Sequence, residues 1–227
     1  MYFCKVSKTD LATYLEDFVT ERRRNLFDKV LDKRTKHFTV VLEDLFEKQN
    51  ISAIVRTCDI FGVQDVHVIE NKYNSYVSNH VARGAQNWVD IHEYNEFEHN
   101  TQICLDNLKE QGYQIVATTP HTDSCILEEF DITKKTAFVF GVEKAGVSNF
   151  IMKQADGFLK IPMVGFTESL NVSVAAALIL NSTTERLRNS NINWQLTHKE
   201  KQDIKLEWMK KSIKSIDLII ERFKQTT

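Results

Sequence analysis

Three stretches of this sequence set chemically capable side chains beside backbone of special geometry. In Asn50-Ile-Ser-Ala-Ile-Val-Arg56-Thr57, a lone arginine stands among apolar residues, and Asn50 and Thr57, seven positions apart, share a helix face. Asn50 is placed to cap that helix. An arginine in apolar surroundings needs an anion. That anion is either a structural carboxylate, with Glu43 and Glu143 as candidates, or a ligand phosphate. In Phe140-Gly141-Val-Glu143-Lys-Ala-Gly146-Val-Ser148, two glycines flank a carboxylate just past an apolar run. Glycines there let backbone approach a ligand closely; the plainer reading is a turn with Glu143 in solvent. The third stretch is Ile161-Pro-Met-Val-Gly-Phe-Thr-Glu-Ser-Leu-Asn-Val-Ser-Val-Ala-Ala-Ala-Leu-Ile-Leu180. Pro162 stops a strand, Gly165 permits angles other residues avoid, and Ser169 or Asn171 can cap an Ala-rich helix. Ligands of α/β proteins sit at such strand ends and helix starts, although an ordinary connection has the same form.

The elements that must hold these stretches follow from hydrophobic periodicity. Residues 8–34 carry apolar side chains near helical spacing, interrupted by Arg22-Arg23-Arg24. Strands are expected at Phe38–Glu43, Val66–Ile69, Trp88–Ile91, Tyr113–Thr118, Thr136–Phe140 and Phe158–Ile161, with helices at Asn50–Phe61, Phe97–Gln111 and 171–188. Gly62 is expected to end the first of these helices. Alternating strands and helices predict an α/β fold: a mostly parallel sheet with helices on both faces. Residues 189–193 form a polar linker. Leu206, Met209, Ile213, Ile216, Ile220 and Phe223 keep 3-4-3-4-3 spacing, which predicts one long helix from His198 to Phe223 that docks on the chain's own body or pairs with a second copy.

The 227 residues fit one domain with appendages, and 42% hydrophobic with 26% charged residues fits a soluble chain with a sizeable core. No apolar run reaches a membrane span, and the N-terminus lacks a signal core, so a cytoplasmic protein is expected. The four cysteines form no C-x-x-C pair, and the seven histidines fall in no ligand spacing, so neither a disulfide set nor a metal is expected. There is no G-x-G-x-x-G after a strand, no P-loop and no G-x-S-x-G elbow. A net charge of −2 does not announce a nucleic-acid binder, but local patches matter more than the sum.

Taken together, N-x-S-A-x-x-R-T, F-G-x-E-x-x-G-x-S and I-P-M-x-G-x-x-x-S-L-N-V-S-V-A-A resemble the three signature motifs of the SPOUT superfamily. The likeness is narrower to the TrmH-type RNA ribose 2′-O-methyltransferases, and it runs in order from about Thr39 to Arg188. The resemblance implies a deep C-terminal trefoil knot, an exception to unthreaded chains. It implies S-adenosylmethionine as methyl donor, a homodimer with the active site near the subunit interface, and no metal. By motif, cofactor contacts fall to Thr118, Gly141, Ile161, Met163 and Leu170, and catalytic work to Asn50, Arg56, Glu143, Ser169 and Asn171. The family mechanism gives the arginine a part in removing the ribose 2′-OH proton; because a guanidinium resists deprotonation, a phosphate clamp that steadies the developing alkoxide suits Arg56 better.

A basic helical extension in place of a separate RNA-binding domain resembles the tRNA enzymes that methylate guanosine 18. On that basis Arg22, Arg23, Arg24, Arg186 and Arg188 are expected to touch tRNA phosphates. The division implied is an RNA-contacting extension at 1–37, a methyltransferase domain at 38–188, and a linker with the C-terminal helix at 189–227. Other readings are the same chemistry on ribosomal RNA or a tRNA wobble nucleotide, and a non-catalytic RNA-binding factor on the same scaffold. Gln49 stands where family members often have histidine, and the chain after about Trp194 differs from many relatives.

Overall fold

The computed structural model describes residues 8–72, 82–119, 124–142 and 145–226. The chain divides into two compact units, one of residues 35–195 and one that joins residues 1–34 to 196–227.

The larger unit is built on a sheet in the order β3-β2-β1-β6-β4-β7-β5, every pairing parallel. The strands are β1 (Phe38–Glu43), β2 (Asp65–Ile69), β3 (Asp90–Tyr94), β4 (Gln114–Thr118), β5 (Cys125–Ile126), β6 (Thr136–Phe140) and β7 (Gly157–Lys160). β1, β2 and β6 are buried at every position, as the unbroken apolar runs Phe-Thr-Val-Val-Leu and Thr-Ala-Phe-Val-Phe require of strands covered on both faces. β3, at one edge, begins and ends later than its Trp88–Ile91 signal. β5 is only two residues long and left no periodic signal in the sequence.

Side chains alternate across β1. Val40 and Leu42 join a core with Ile51, Ile54 and Val55 of helix α3 (Lys48–Phe61) and with Val172, Ala176, Ile179 and Leu180 of helix α6 (Val172–Arg188). Val41 faces the opposite core, with Leu105 and Leu108 of helix α4 (Asn100–Glu110) and Ile151 of the short helix α5 (Asn149–Gln154). Gly62 ends α3 as expected, in the left-handed region at φ 73°. Thr35 bridges Val63 on one side and Gln195 on the other, and its hydroxyl donates to the Trp194 carbonyl at 2.7 Å. The chain therefore enters and leaves this unit at one place.

In the smaller unit, α1 (Lys8–Glu16) and α2 (Glu21–Leu31) replace the single helix expected over 8–34. Thr20 breaks it: its extended backbone and its hydroxyl, which accepts from the Arg23 N–H, cap α2. The expected long C-terminal helix is likewise two, α7 (His198–Ser212) and α8 (Ile216–Thr226). Ile213 leaves helical angles and Ser215 adopts φ 54°, so the 3-4 seam does not run through as one stripe. Phe27 packs edge-on against Trp208, and the buried Arg34 guanidinium lies 5.2 Å from the same indole. No helix among the described residues is long and apolar enough to cross a membrane.

A polar cluster lies where β2 meets β3, with Asp65 and His67 buried in it. Lys36 and His92 both reach Asp65, at 3.2 and 3.0 Å, and His92 stacks on His67 with ring centroids 4.7 Å apart. The Tyr94 hydroxyl lies 3.2 Å from His67 Nδ1. Burial tends to raise the Asp65 carboxyl, but His92 and Lys36 outweigh it and hold it below its usual value. Burial, with His92 adding to it, pushes His67 down to about 3. The native state therefore keeps His67 neutral while an unfolded histidine protonates near 6.5. Stability from this group is present above about pH 6.5 and is lost progressively as pH falls toward 3. His67→Phe keeps the stack and removes the titration. Urea unfolding between pH 6 and pH 4 is expected to show a shallower loss of stability in the variant, by at most about one proton, or ~1.4 kcal/mol per pH unit; an unchanged slope excludes His67 as its source.

Candidate functional site

β6, β4 and β7 are neighbours in the sheet, and the segments beyond their carboxyl ends enclose a cavity of about 350 Å³. Thr118 and Thr119 line it from β4, Phe140 to Val142 and Ala145 to Val147 from β6, and Leu159 to Ile161 from β7. Met163, Ser169 and Leu170 close it along the segment before α6, with Val172, Ala175 and Ile179 of α6 behind them. The walls are mostly apolar side chains and main chain. The Thr118 hydroxyl donates to the Val139 carbonyl at 2.9 Å, and the Thr119 N–H donates to the Leu159 carbonyl at 3.1 Å, so β4 is tied to both neighbours at the cavity floor.

The wall after β6 depends on one close approach. The Gly146 N–H donates to the Val142 carbonyl at 2.8 Å, and Gly146 itself adopts φ +68°. This folds the segment back until a Cβ on Gly141 would lie 2.1 Å from the Gly146 carbonyl oxygen and 2.4 Å from the Val147 nitrogen. Only glycine fits at residue 141. Gly165 differs from its expectation: it is outside the left-handed region, and an added Cβ would meet only the Thr167 nitrogen, at 4.0 Å.

All five residues expected to contact a cofactor, Thr118, Gly141, Ile161, Met163 and Leu170, line this one cavity, and Ser169 lies on its rim. The other candidates are distributed differently. Asn171 is the N-cap of α6; its Oδ1 accepts from the Ser173 and Val174 N–H groups at 2.9 and 3.4 Å. With that oxygen committed, its Nδ2 donates to Asn50 Oδ1 at 3.1 Å and joins the starts of α3 and α6. Asn50 is not itself a cap. The helix starts earlier, at Lys48, with Glu47 as N-cap, and the Asn50 N–H donates to the Glu47 carbonyl.

Arg56 is exposed on α3 and does not line the cavity. Its apolar sequence neighbours turn inward while its own side chain faces solvent, so no structural ion pair is needed to bury it. Glu43, one of the two carboxylates expected as its partner, is buried instead with Ser148 and Thr101. Glu143 lies outside the described residues. The reading missed Asn149 and Met152, which also line the cavity; nothing in their types marks them, and only the turn of chain at Gly146 and Ser148 brings them there.

A profile of the SpoU rRNA methylase family matches residues 37–181. The chain belongs to the SpoU methylase family. Among similar SpoU-type proteins, the tRNA (guanosine(18)-2′-O)-methyltransferase of Borreliella burgdorferi is 40% identical over 205 residues, which cover 90% of this chain and 92% of the relative. The Thermus thermophilus protein of the same name is 41% identical over 167 residues, covering 71% of this chain and 81% of the relative. The crystal structure of the A. aeolicus TrmH/SpoU tRNA modifying enzyme superposes with a TM-score of 0.75 at 33% identity, over 85% of this chain and 97% of that one.

For a SpoU methylase, the basic candidates divide sharply. Arg22 and Arg23 are exposed on α2, and Arg24 lies 3.9 Å from Glu16. Arg186 and Arg188 are committed to the chain itself. Arg186 donates to the Leu127 and Phe130 carbonyls, which pins the turn between β5 and β6, and Arg188 donates to the Phe61 carbonyl at the end of α3. Among the described residues, no group of His, Cys, Asp and Glu side chains is placed to hold a metal ion.

The Gly141 contact is directly testable. Gly141→Ala forces two stretches of backbone apart, and overpacking of this kind costs about 1–3 kcal/mol or more. Chemical denaturation is expected to show a clearly lowered midpoint for the variant, and a midpoint equal to the unaltered protein's excludes the steric requirement.

Proposed function

We propose that this SpoU methylase transfers the methyl group of S-adenosylmethionine to the ribose 2′-OH of guanosine 18 in tRNA. The observation that supports this substrate is the extent of its likeness to the guanosine-18 enzymes, which continues past the family segment into the helical unit. The cavity suits the cofactor. Leu159, Ile161, Leu170 and Ile179 offer apolar walls for a nucleoside base, and Gly141 leaves backbone bare where a side chain would intrude. Thr118, Met163 and the main chain around them are the groups to hold it. When bound, S-adenosylmethionine supplies an electrophilic methyl on a sulfonium.

The chain's own residues then position the nucleophile. Asn50 and Asn171, joined by their amide hydrogen bond, present a polar surface at the helix starts, and Ser169 lies two residues before Asn171. Glu143, outside the described residues, is assigned catalytic work by its motif alone. Arg56 clamps a substrate phosphate and steadies the alkoxide that develops as the 2′-OH loses its proton. Its exposure, away from the cavity, supports a homodimer in which a second copy brings its Arg56 to this site. Val164 and Phe166 in the segment before α6, and Val174 and Leu178 on α6, are exposed apolar side chains that such a partner would cover. Arg22, Arg23 and Arg24 in the extension before residue 38 meet tRNA phosphates, while Arg186 and Arg188 keep their structural bonds. The C-terminal region from β6 to α6 is threaded as a trefoil knot, which would place three strand-end segments around one cofactor. Cys58, Cys104 and Cys125 are in no disulfide among the described residues, which suits a cytoplasmic location.

Incubation of unmodified tRNA with labelled cofactor, followed by nucleotide mapping, tests the assignment; a mark at a position other than guanosine 18 overturns the substrate. Arg56→Ala is expected to retain fold and cofactor affinity and to lose methyl transfer by a factor of about 10² or more. Full activity removes Arg56 from the mechanism. Two adjacent alanines separate site from core. Ala175 lines the cavity, so Ala175→Leu is expected to abolish calorimetric binding of S-adenosylmethionine with little change in unfolding midpoint. Ala176 is fully buried in the α3–α6 core, so Ala176→Leu is expected to cost about 1–3 kcal/mol of stability. Equal effects at both positions contradict this division.

A further inference from the structure

Glu43 ends β1 with only 3% of its surface exposed, and it does not line the cavity. Its Oε2 accepts the Ser148 main-chain N–H at 2.7 Å. Its Oε1 accepts the Ser148 hydroxyl at 2.8 Å and the Thr101 hydroxyl at 3.1 Å. The neighbours fix these directions. Ser148 Oγ already accepts from the Ile151 N–H at 3.2 Å as the N-cap of α5, so its proton is left for Glu43. Thr101 Oγ1 accepts from Asn71 Nδ2 at 2.9 Å, which leaves its proton for Glu43 too. Asn71 is held in turn by Asp44, whose carboxylate accepts the Asn71 and Lys72 N–H groups at 2.7 and 2.9 Å and whose φ of 51° turns the chain out of β1. A chain of oriented bonds thus runs from Asp44 through Asn71, Thr101 and Glu43 to Ser148.

Ser148 directly follows Ala145–Val147, which form the cavity wall beyond β6. Gripping both its N–H and its hydroxyl fixes where that wall ends and how it is turned. We propose that Glu43 is a positioning residue for cofactor binding, holding Ala145–Val147 in place through Ser148. The inference rests on reading the cavity as the S-adenosylmethionine site. Three donors converge on Glu43, which calls for an acceptor group. Glutamine is the conservative variant: its amide oxygen still takes the Ser148 N–H, and its NH₂ meets the second lone pair of each hydroxyl, at the cost of the acceptor for their two protons. Leucine leaves a buried N–H and two hydroxyls without a partner.

The test compares Glu43→Leu, Glu43→Gln and Ser148→Ala in the full chain. Calorimetry with S-adenosylmethionine, steady-state kinetics and amide exchange of residues 145–151 in the cofactor-free protein are the measurements. Glu43→Leu is expected to weaken cofactor binding about tenfold or more, to raise the cofactor KM with kcat at saturation largely kept, and to speed exchange at 145–151. Glu43→Gln, which keeps the acceptor for the Ser148 N–H, is expected to fall between the unaltered protein and Glu43→Leu, weakening binding several-fold less than Glu43→Leu. Ser148→Ala is expected to weaken binding, and to add little when combined with Glu43→Leu. Unchanged affinity in Glu43→Leu overturns the proposal. Should that variant not fold, unchanged affinity in Ser148→Ala overturns it instead. If the unaltered protein itself binds no S-adenosylmethionine, the proposed function falls and takes this inference with it; binding by the unaltered protein with unaffected variants removes only the role of Glu43.

Discussion

Backbone touches backbone between Gly141 and Gly146, and the site is arranged around that contact. Parallel strands deliver their chain ends to one side of a sheet, but they do not by themselves make a concave surface. The turn after β6 does so by doubling back on the strand that feeds it, which brings Val142, Ala145 and Val147 to the cavity alongside the ends of β4 and β7. Side chains at either glycine would hold the two stretches apart or strain the turn. The apolar burial of β6 on both faces supplies the rigid base from which so tight a turn can start.

Rigidity and freedom are divided around this cavity. The Asn50–Asn171 bond couples the starts of two helices whose remaining turns pack together in the core, so these amides inherit the stiffness of the interior. Thr118 and Thr119 are bound to neighbouring strands. The segment from Pro162 to Thr167, by contrast, is almost wholly in solvent and carries apolar side chains. Arg56 sits on α3 but faces outward, away from the cavity.

Much of this was legible in the sequence, for identifiable reasons. The sheet was readable because doubly covered strands must be continuously apolar, and the cavity-lining set was readable because motif order carried Thr118, Gly141, Ile161, Met163 and Leu170 to one place. Helix breaks were not. Thr20 and Ser215 interrupt apolar periodicities that are helical on either side, and a cap or a left-handed residue leaves the spacing intact. Arg56 stands among apolar residues in sequence but not in space, because neighbours on a helix do not share its direction. Glu43 was weighed only as a partner for that arginine; its bonds to Ser148 span 105 positions and have no local signature. The roles of Arg186 and Arg188 were hidden likewise, since a carbonyl acceptor leaves no mark in the sequence.

The pairing of Thr35 with Gln195 has a consequence for how the protein is made. The smaller unit is assembled from both ends of the chain, and the whole sheet unit lies between its halves in sequence. Phe27 finds Trp208 only after the intervening residues have emerged, an interval on the order of ten seconds at ordinary synthesis rates. During that time the apolar face of α2 lacks its native cover, and only toward its end does the sheet unit have all of its own residues. The larger unit has all of its own residues before Trp208 is made, and closure of its two ends at Thr35 and Gln195 brings residues 34 and 196 to one place.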